Sequence, residues 1–154
     1  MKTEFREHWK NYVFQSLFAT IAVSLIIIFL NLQNAVVIAS LGSTTFVIFA
    51  LPKSITARPR NVIGGNLACL AIGSLCHLIP HASPAASVIV YSLAVGISIF
   101  VMVVTDIEHP PASGLALGVA ITGFSVGISV AVVTFVIILS LIHYFCRDLI
   151  RDLV

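Results

Sequence analysis

Charged residues are scarce in this chain of 154 residues. Asp, Glu, Lys and Arg make up only 9% of it, whereas hydrophobic residues make up 59%. A soluble domain carries about 25% charged residues, so this composition indicates an integral membrane protein. The net charge of +2 is small, and the charges are dispersed along the chain. This excludes the basic surface that nucleic-acid binding requires.

The sequence also lacks the marks of secreted proteins and of enzymes. Its three cysteines, Cys69, Cys76 and Cys146, lie in apolar runs, which argues against a disulfide framework. Polar residues at 31–34, rather than a small-residue cleavage site, follow the first apolar run at 13–30. That run therefore predicts a transmembrane helix and not a signal peptide. There is no nucleophile motif, phosphate loop or zinc-protease pattern, so we predict no enzyme and no cofactor.

One polar stretch interrupts the apolar second half of the chain. Asp106, Glu108 and His109 are followed directly by Pro110 and Pro111. Proline lacks a backbone donor and clashes with the preceding turn, so the helix before it should end near Glu108. Proline suits the first turn of a helix, so another helix should begin near Pro110. We therefore predict a helix break at or near membrane depth.

The remaining apolar runs differ in length. Four of them are long enough to cross a membrane, at about 12–30, 61–80, 85–105 and 125–144. Two are shorter, at 35–51 and 112–124. Within the first of these, Gly42-Ser43-Thr44-Thr45 resembles a helix start, because hydroxyls can cap free N–H groups. The fold class predicted is all-α integral membrane, with about four long transmembrane helices plus two short broken or re-entrant helices.

The chain divides into three parts. Residues 1–11 form a cytoplasmic N-terminal segment, 12–146 a single transmembrane domain, and 147–154 a cytoplasmic tail. A shift of about 73 residues overlays the halves of the domain, about 12–81 and 85–146, and each half reads as helix, short broken element, helix. Three crossings per half would invert the second half, and inverted repeats with broken helices are typical of transporters and channels.

The distribution of basic residues tests this topology. If the chain crosses the membrane six times, the N-terminus, the 53–60 loop, the 106–109 break and the C-terminus lie on one side. Those places hold all eight Lys and Arg, whereas the turns at 31–34 and 81–84 hold none. By the positive-inside rule the shared side is cytoplasmic. We predict a multi-pass protein of the inner (cell) membrane with both termini in the cytoplasm.

The two short helices predict a substrate site. A helix N-terminus presents unpaired N–H groups and a partial positive charge, which favour anions. Two such ends facing each other would bind a small anion without a buried cation. The candidate substrate-binding residues are Gly42, Ser43, Thr44, Thr45, Pro110, Pro111, Ser113 and Gly114. In the alternative interpretation, the hydroxyls only cap their own helices and the glycines only allow close packing.

The polar residues of the break have three interpretations. His109 titrates near neutral pH, so it could bind substrate and couple proton movement to transport. Arg58, Arg60, Asp106 and Glu108 could instead form gating contacts or structural ion pairs at the cytoplasmic surface. An Asp-x-Glu-His metal site is the third interpretation, but no second ligand cluster is evident. His77 and His81, one turn apart, are a lone pair at an interface, and we predict no metal there either.

Two stretches together resemble the HPP family of small integral membrane proteins. They are Glu-His-Pro-Pro-Ala at 108–112 and Ala-Arg-Pro-Arg-Asn-Val-Ile-Gly-Gly-Asn at 57–66, and the resemblance covers roughly residues 35–145. Members in cyanobacteria and chloroplasts are linked to nitrite transport, so the resemblance implies a small inorganic anion as substrate. Asn66 stands where the family commonly has a histidine, and we include it among the substrate-binding candidates.

These observations lead to two main hypotheses. The first is a membrane transporter or channel for a small inorganic anion such as nitrite, acting in the lipid bilayer. A short chain needs partners to enclose a path, and small-residue stripes such as Gly65-Cys69-Gly73 predict a homo-oligomer. The alternative is a non-transporting membrane scaffold or assembly module. An intramembrane enzyme using Asp106, Glu108 and His109 is a third, less favoured hypothesis.

Overall fold

The computed structural model describes residues 2–29 and 34–153, with side chains at 8–28 and 34–153. Within them the chain is helical and contains no strand, which confirms the predicted all-α class. Most of the predicted turn at 31–34 lies outside the described residues. The six helices in these ranges are α1 Lys2–Phe29, α2 Ala35–Ala50, α3 Pro59–His77, α4 Pro84–Val104, α5 Pro111–Thr122 and α6 Val126–Cys146, with a 3-10 turn, Ile55–Ala57, between α2 and α3.

In the described part of the chain, three helices are long and apolar enough to cross a membrane. They contain the segments His8–Ile28, Pro84–Val104 and Val126–Cys146. The expected fourth long span is not confirmed, since α3 has a similar length but carries Arg60, Asn61 and Asn66. Helix α1 begins at Lys2 and not at residue 12, because the polar N-terminal stretch is itself helical. Its backbone leaves helical geometry at His8, where that stretch joins the apolar span.

The predicted helix start at 42–45 is wrong. Helix α2 runs without interruption through these residues, so their N–H groups are used inside the helix. The Thr44 hydroxyl bonds to the carbonyl of Ser40 one turn earlier, and Thr45 does the same with its own preceding turn. This back-bonding satisfies a hydroxyl in a helix interior. Gly42 marks no break either, since it lies inside the continuous α2.

The break around His109 forms as predicted. Helix α4 ends at Val104, four residues before the predicted end near Glu108, and α5 begins at Pro111, next to the predicted start at Pro110. Asp106 adopts a positive φ of 55°, and this left-handed residue turns the chain out of α4. The short α5 ends at Gly123, whose φ of 85° suits a glycine.

Helix α5 lies at the centre of the bundle and packs against α2, α3 and α4. A Cβ added at Gly73 would lie 2.6 Å from the carbonyl oxygen of Ala116, and one added at Gly118 would lie 2.8 Å from Val37 Cγ2. Glycines therefore let α5 approach its neighbours closely. The small-residue stripe on α3 serves packing within the chain, and the homo-oligomer stays a prediction.

Several polar contacts connect the loops and the C-terminal segment at one end of the bundle. The side chain of Gln15 donates to the carbonyls of Phe49 and Arg151, and His143 contacts the carbonyl of Pro52. Arg60 donates to the carbonyl of Thr105. We call this end, formed by residues 51–58, 105–110 and 147–153, the polar end. The loops that the charge pattern grouped on one side thus lie together, while their cytoplasmic orientation stays a prediction.

The order of helices agrees with a division of the chain into two halves. Helices α1 to α3 are long, short and long, and so are α4 to α6. A shift of 73 residues brings α2, at 35–50, onto 108–123, which contains α5. The inverted orientation of the second half stays a prediction.

Candidate functional site

His109 is fully buried at the junction where α4 gives way to α5. Its Nδ1 lies 2.9 Å from the carbonyl oxygen of Thr56 in the turn before α3. A carbonyl only accepts, so Nδ1 carries a hydrogen and donates it. On the other side of the ring, Nε2 lies 3.0 Å from Oγ1 of Thr44 on α2. One imidazole therefore connects α2, the 3-10 turn and the start of α5.

The hydroxyl of Thr44 can serve His109 in both protonation states. Oγ1 lies 3.0 Å from Nε2 of His109 and 3.1 Å from the carbonyl oxygen of Ser40. When the ring is neutral, the hydroxyl donates to Nε2. When the ring is protonated, Nε2 donates to Oγ1, and the hydroxyl hydrogen turns to the Ser40 carbonyl. Rotation of one hydroxyl thus keeps every ring nitrogen paired in either state.

Burial decides which state predominates. It lowers the pKa of His109 from 6.5 to about 4, because desolvation disfavours the charged imidazolium. The bond to the Thr56 carbonyl opposes this effect but is the smaller cause. The ring is therefore neutral at neutral pH, with its hydrogen on Nδ1.

The first turn of α5 packs side-on against the middle of α2. Ser40 Oγ donates to the carbonyl of Pro111 at 2.7 Å, and a Cβ added at Gly114 would contact the Ser40 side chain at 3.4 Å. The Ser113 hydroxyl turns back to the carbonyl of Pro110. The start of α5 thus meets α2 through packed atoms of both helices.

The structure brings some predicted site residues together and leaves others apart. Thr44 meets His109, but Ser43 is exposed on the other side of α2, and Thr45 is satisfied inside its own helix. Thr44 and His109 touch and are both fully buried, so side chains occupy the place expected for an anion. Among the helices that the structure describes, no second N-terminus faces α5 there.

Two residues that form this junction, Ser40 and Thr56, were not among the candidates from the sequence. Ser40 lies one helical turn before Thr44, a spacing that does signal a shared face. The partner at Thr56 is a backbone carbonyl, so no residue type could have revealed it.

The charged residues of the break lie at the surface. Arg60 and Asp106 approach to 3.6 Å, with side chains 67% and 78% exposed, so their attraction is screened by water. The side-chain amide of Asn61 donates to the carbonyl of Glu108. Among the described residues, no group of three or more His, Cys, Asp or Glu side chains is placed to hold a metal.

Asn66 lies beside this junction on α3. It is 1% exposed, and its amide nitrogen donates to the carbonyl of Val62 one turn earlier. Its Oδ1 has no hydrogen-bond partner within the described part of the chain. The neighbouring Gly65 faces the break, since a Cβ there would lie 2.8 Å from Cβ of His109.

The two histidines at the opposite end of the bundle have structural partners. His77 contacts the carbonyl of Ala120 through Nδ1, in the last turn of α5. His81 contacts the carbonyl of Ile79 through Nδ1 and the hydroxyl of Tyr91 through Nε2. The two imidazole rings meet edge to face, with centroids 6.1 Å apart. Packing, together with hydrogen bonds to free carbonyls at a helix end, therefore accounts for the placement of both histidines.

The two stretches on which the resemblance rests meet at this junction, through Asn61 against Glu108 and Gly65 against His109. A family model described as the HPP transmembrane region matches residues 4–152, nearly the whole chain. The chain belongs to the HPP transmembrane family. The HPP match supports a multi-pass membrane protein, in agreement with the three apolar helices.

Two curated relatives of this HPP chain come from Dictyostelium discoideum, and each is named only as a transmembrane protein. One is 35% identical over 88 residues, which cover 57% of this chain and 31% of the relative. The other is 31% identical over 85 residues, which cover 55% and 27%. The matched region thus spans less than a third of either relative. No solved structure matches the chain.

Proposed function

We propose that this HPP protein is a membrane transporter for a small inorganic anion such as nitrite, with His109 as its proton partner. The observation that carries the proposal is the fully buried His109, whose neighbour Thr44 can satisfy it in either protonation state. Ionisable groups inside a membrane protein are costly and are usually retained for function. The choice of anion rests on the resemblance to HPP members linked to nitrite transport.

Electrostatics would couple the anion to the proton. An anion that enters beside His109 would favour the imidazolium and raise the pKa of the ring, which burial otherwise holds low. Anion binding would therefore draw in a proton, and the pair would move with no net charge. The positive end of the α5 dipole at Pro111 would add to the attraction. Such a site forms only if α2 and α5 separate, because their contact is filled in this state.

Uptake of nitrite into proteoliposomes under an inward proton gradient tests the proposal. We expect uptake by the native protein and its loss in His109→Ala and Thr44→Val. Thr20→Val is a matched control, since Thr20 also bonds to the carbonyl one turn earlier but lies on the exposed face of α1. Uptake that is equal in native and His109→Ala protein, or no greater than in empty liposomes, would refute the proposal.

The packed contact between α2 and α5 favours a second candidate, a membrane scaffold that transports nothing. In that case the buried junction never opens to water. Ala112 is fully buried there, so Ala112→Cys, in a chain whose three native cysteines are replaced by alanine, reports on opening. Labelling by a water-soluble thiol reagent in the membrane supports transport, and its absence supports the scaffold. Lys53→Cys, at an exposed position in the loop after α2, shows how fast an accessible thiol is labelled.

A further inference from the structure

A long apolar groove lies between α1 and α6, with α2 as its floor. Its volume is about 540 Å³, and its lining includes Phe18 and Leu25 of α1, Phe49 of α2, and Ala131 of α6. Thr134 contributes the one hydroxyl among the lining residues. Both walls belong to helices apolar enough to span a membrane, so the groove opens toward the hydrocarbon of the bilayer.

The groove is too narrow to enclose a whole helix from a second copy of the chain. Its two ends on α6 are Gly127 and Ile142, 15 residues apart, which corresponds to about 22 Å at helical rise. Dividing the volume of the groove by this length gives the groove a mean cross-section of about 25 Å². A helix with a diameter of about 10 Å needs roughly 80 Å².

One hydrocarbon chain has the required dimensions. A methylene group occupies about as much space as a water molecule, ~30 Å³ in the liquid. Carbon–carbon bonds of about 1.5 Å at tetrahedral angles advance an extended chain by about 1.25 Å per carbon. The cross-section of such a chain is then about 24 Å². The length of the groove corresponds to roughly 18 carbons.

Charge indicates which end of the groove faces the lipid headgroup. Phe18, Phe49 and Ile142 line its end nearest the polar end of the bundle. Gln15, about one turn before Phe18 on α1, donates to the backbone of both Phe49 and Arg151. These two hydrogen bonds hold the backbone of the basic Arg151 beside this end of the groove. The turn at 123–125, next to the opposite end, carries no charge.

We propose that this groove binds one acyl chain of an anionic phospholipid, with the phosphate beside Arg151. The second acyl chain remains in the surrounding bilayer. The site fills the space between two spanning helices that otherwise touch little, and a void there would forfeit dispersion contacts. The proposal does not depend on the transport function.

Native mass spectrometry of the full chain, delipidated in detergent, tests the site with phosphatidylglycerol carrying two 18-carbon chains. We expect a one-lipid adduct that is lost in Ala131→Phe, because the new ring fills the groove. Ala71→Phe places the same substitution on an exposed alanine of α3 and should retain the adduct. If Ala131→Phe does not fold, Thr134→Leu is the alternative, because its side chain fills less of the groove from the same helix. We expect it to weaken the adduct.

Two further comparisons address chain length and charge. Phosphatidylglycerol with 10-carbon chains should bind more weakly than the 18-carbon lipid. Arg151→Gln should lower the affinity for phosphatidylglycerol by about fivefold and the affinity for phosphatidylcholine by less, because choline offsets the charge of its phosphate. An adduct that is unchanged in both groove variants, equal binding of both chain lengths, or a native dimer that Ala131→Phe dissociates would each overturn the proposal. The last result would assign the groove to a second copy.

Discussion

Oγ1 of Thr44 lies 3.0 Å from Nε2 of His109, although the two residues are 65 positions apart in the chain. This contact ties the middle of α2 to the His-Pro-Pro stretch, and both side chains are fully buried. The short α5 is thus held in place at its first residues by the helix in which the sequence predicted a break. Substitutions at this pair separate its role in stability from its proposed role in transport.

Removal of the Thr44 hydroxyl should destabilise the protein. In Thr44→Val the shape is kept, but Nε2 of buried His109 loses its partner, which costs about 1–3 kcal/mol. Thr44→Ser keeps the hydroxyl and should lose less. Denaturant unfolding in detergent micelles, followed by circular dichroism, measures the difference. Thr20→Val on the exposed face of α1 should change the free energy of unfolding by less than about 0.5 kcal/mol. Equal stability of Thr44→Val and the native protein would show that the contact contributes nothing.

The stability of the fold should fall in acid because of His109. The pKa of His109 is about 4 in the folded protein and 6.5 when unperturbed, so between these values the unfolded chain binds more protons. Stability is therefore fully present above pH 6.5 and falls as the pH decreases toward 4, by up to about 3 kcal/mol.

Unfolding free energies measured between pH 4 and 7 check this slope. His109→Asn cannot titrate at this position, so its profile should be flatter than that of the native protein. The other four histidines are present in both proteins and cancel in the comparison. Profiles with the same slope would contradict a depressed pKa at His109.

A methyl group at Gly73 should be poorly tolerated. Its carbon would lie 2.6 Å from the carbonyl oxygen of Ala116, a backbone atom that moves only with the whole of α5. We expect Gly73→Ala to lower the free energy of unfolding by about 1–3 kcal/mol. Gly96→Ala is the matched control, because nothing lies within 4 Å of a Cβ there. It should be neutral or stabilise α4 by up to about 1 kcal/mol. Similar effects of the two substitutions in thermal unfolding would argue against close packing of α3 on α5.

The buried Gln15 should control the mobility of the C-terminal segment. Gln15→Leu leaves the carbonyls of Phe49 and Arg151 without their side-chain donor. The Leu153 amide, which donates to the carbonyl of Ala50, should then exchange its hydrogen faster. Hydrogen exchange followed by mass spectrometry measures the rate. Ser16→Leu, at the exposed neighbouring position, should leave the exchange unchanged. Protection that survives Gln15→Leu would mean that other contacts hold the segment.

Hydroxyl groups explain why the predicted helix start at 42–45 was wrong. Next to a glycine, a hydroxyl can cap a helix start or bond back to a carbonyl within a continuous helix. Both uses require the same residue types, so Thr44 and Thr45 could not distinguish them. Packing against α5 selects the second use, and Thr44 then turns toward His109.

The small residues of α3 are likewise compatible with more than one arrangement. The spacing of Gly65 and Gly73 predicts that another helix approaches, and one does. The sequence does not say which helix, because any close neighbour demands small side chains. The structure identifies α5 and the break as the neighbours, so this stripe does not argue for an oligomer.

The amino-acid sequence by itself determined the membrane class, the all-helical fold and the helix break before Pro110. These follow from local physics, since apolar length and the missing donor of proline act without reference to distant residues. Only the tertiary structure decided that α2 is continuous, that Thr44 and Thr56 hold His109, and that Gln15 reaches the C-terminal segment. Those contacts join residues more than 30 positions apart, and their energy exists only once the helices have packed together.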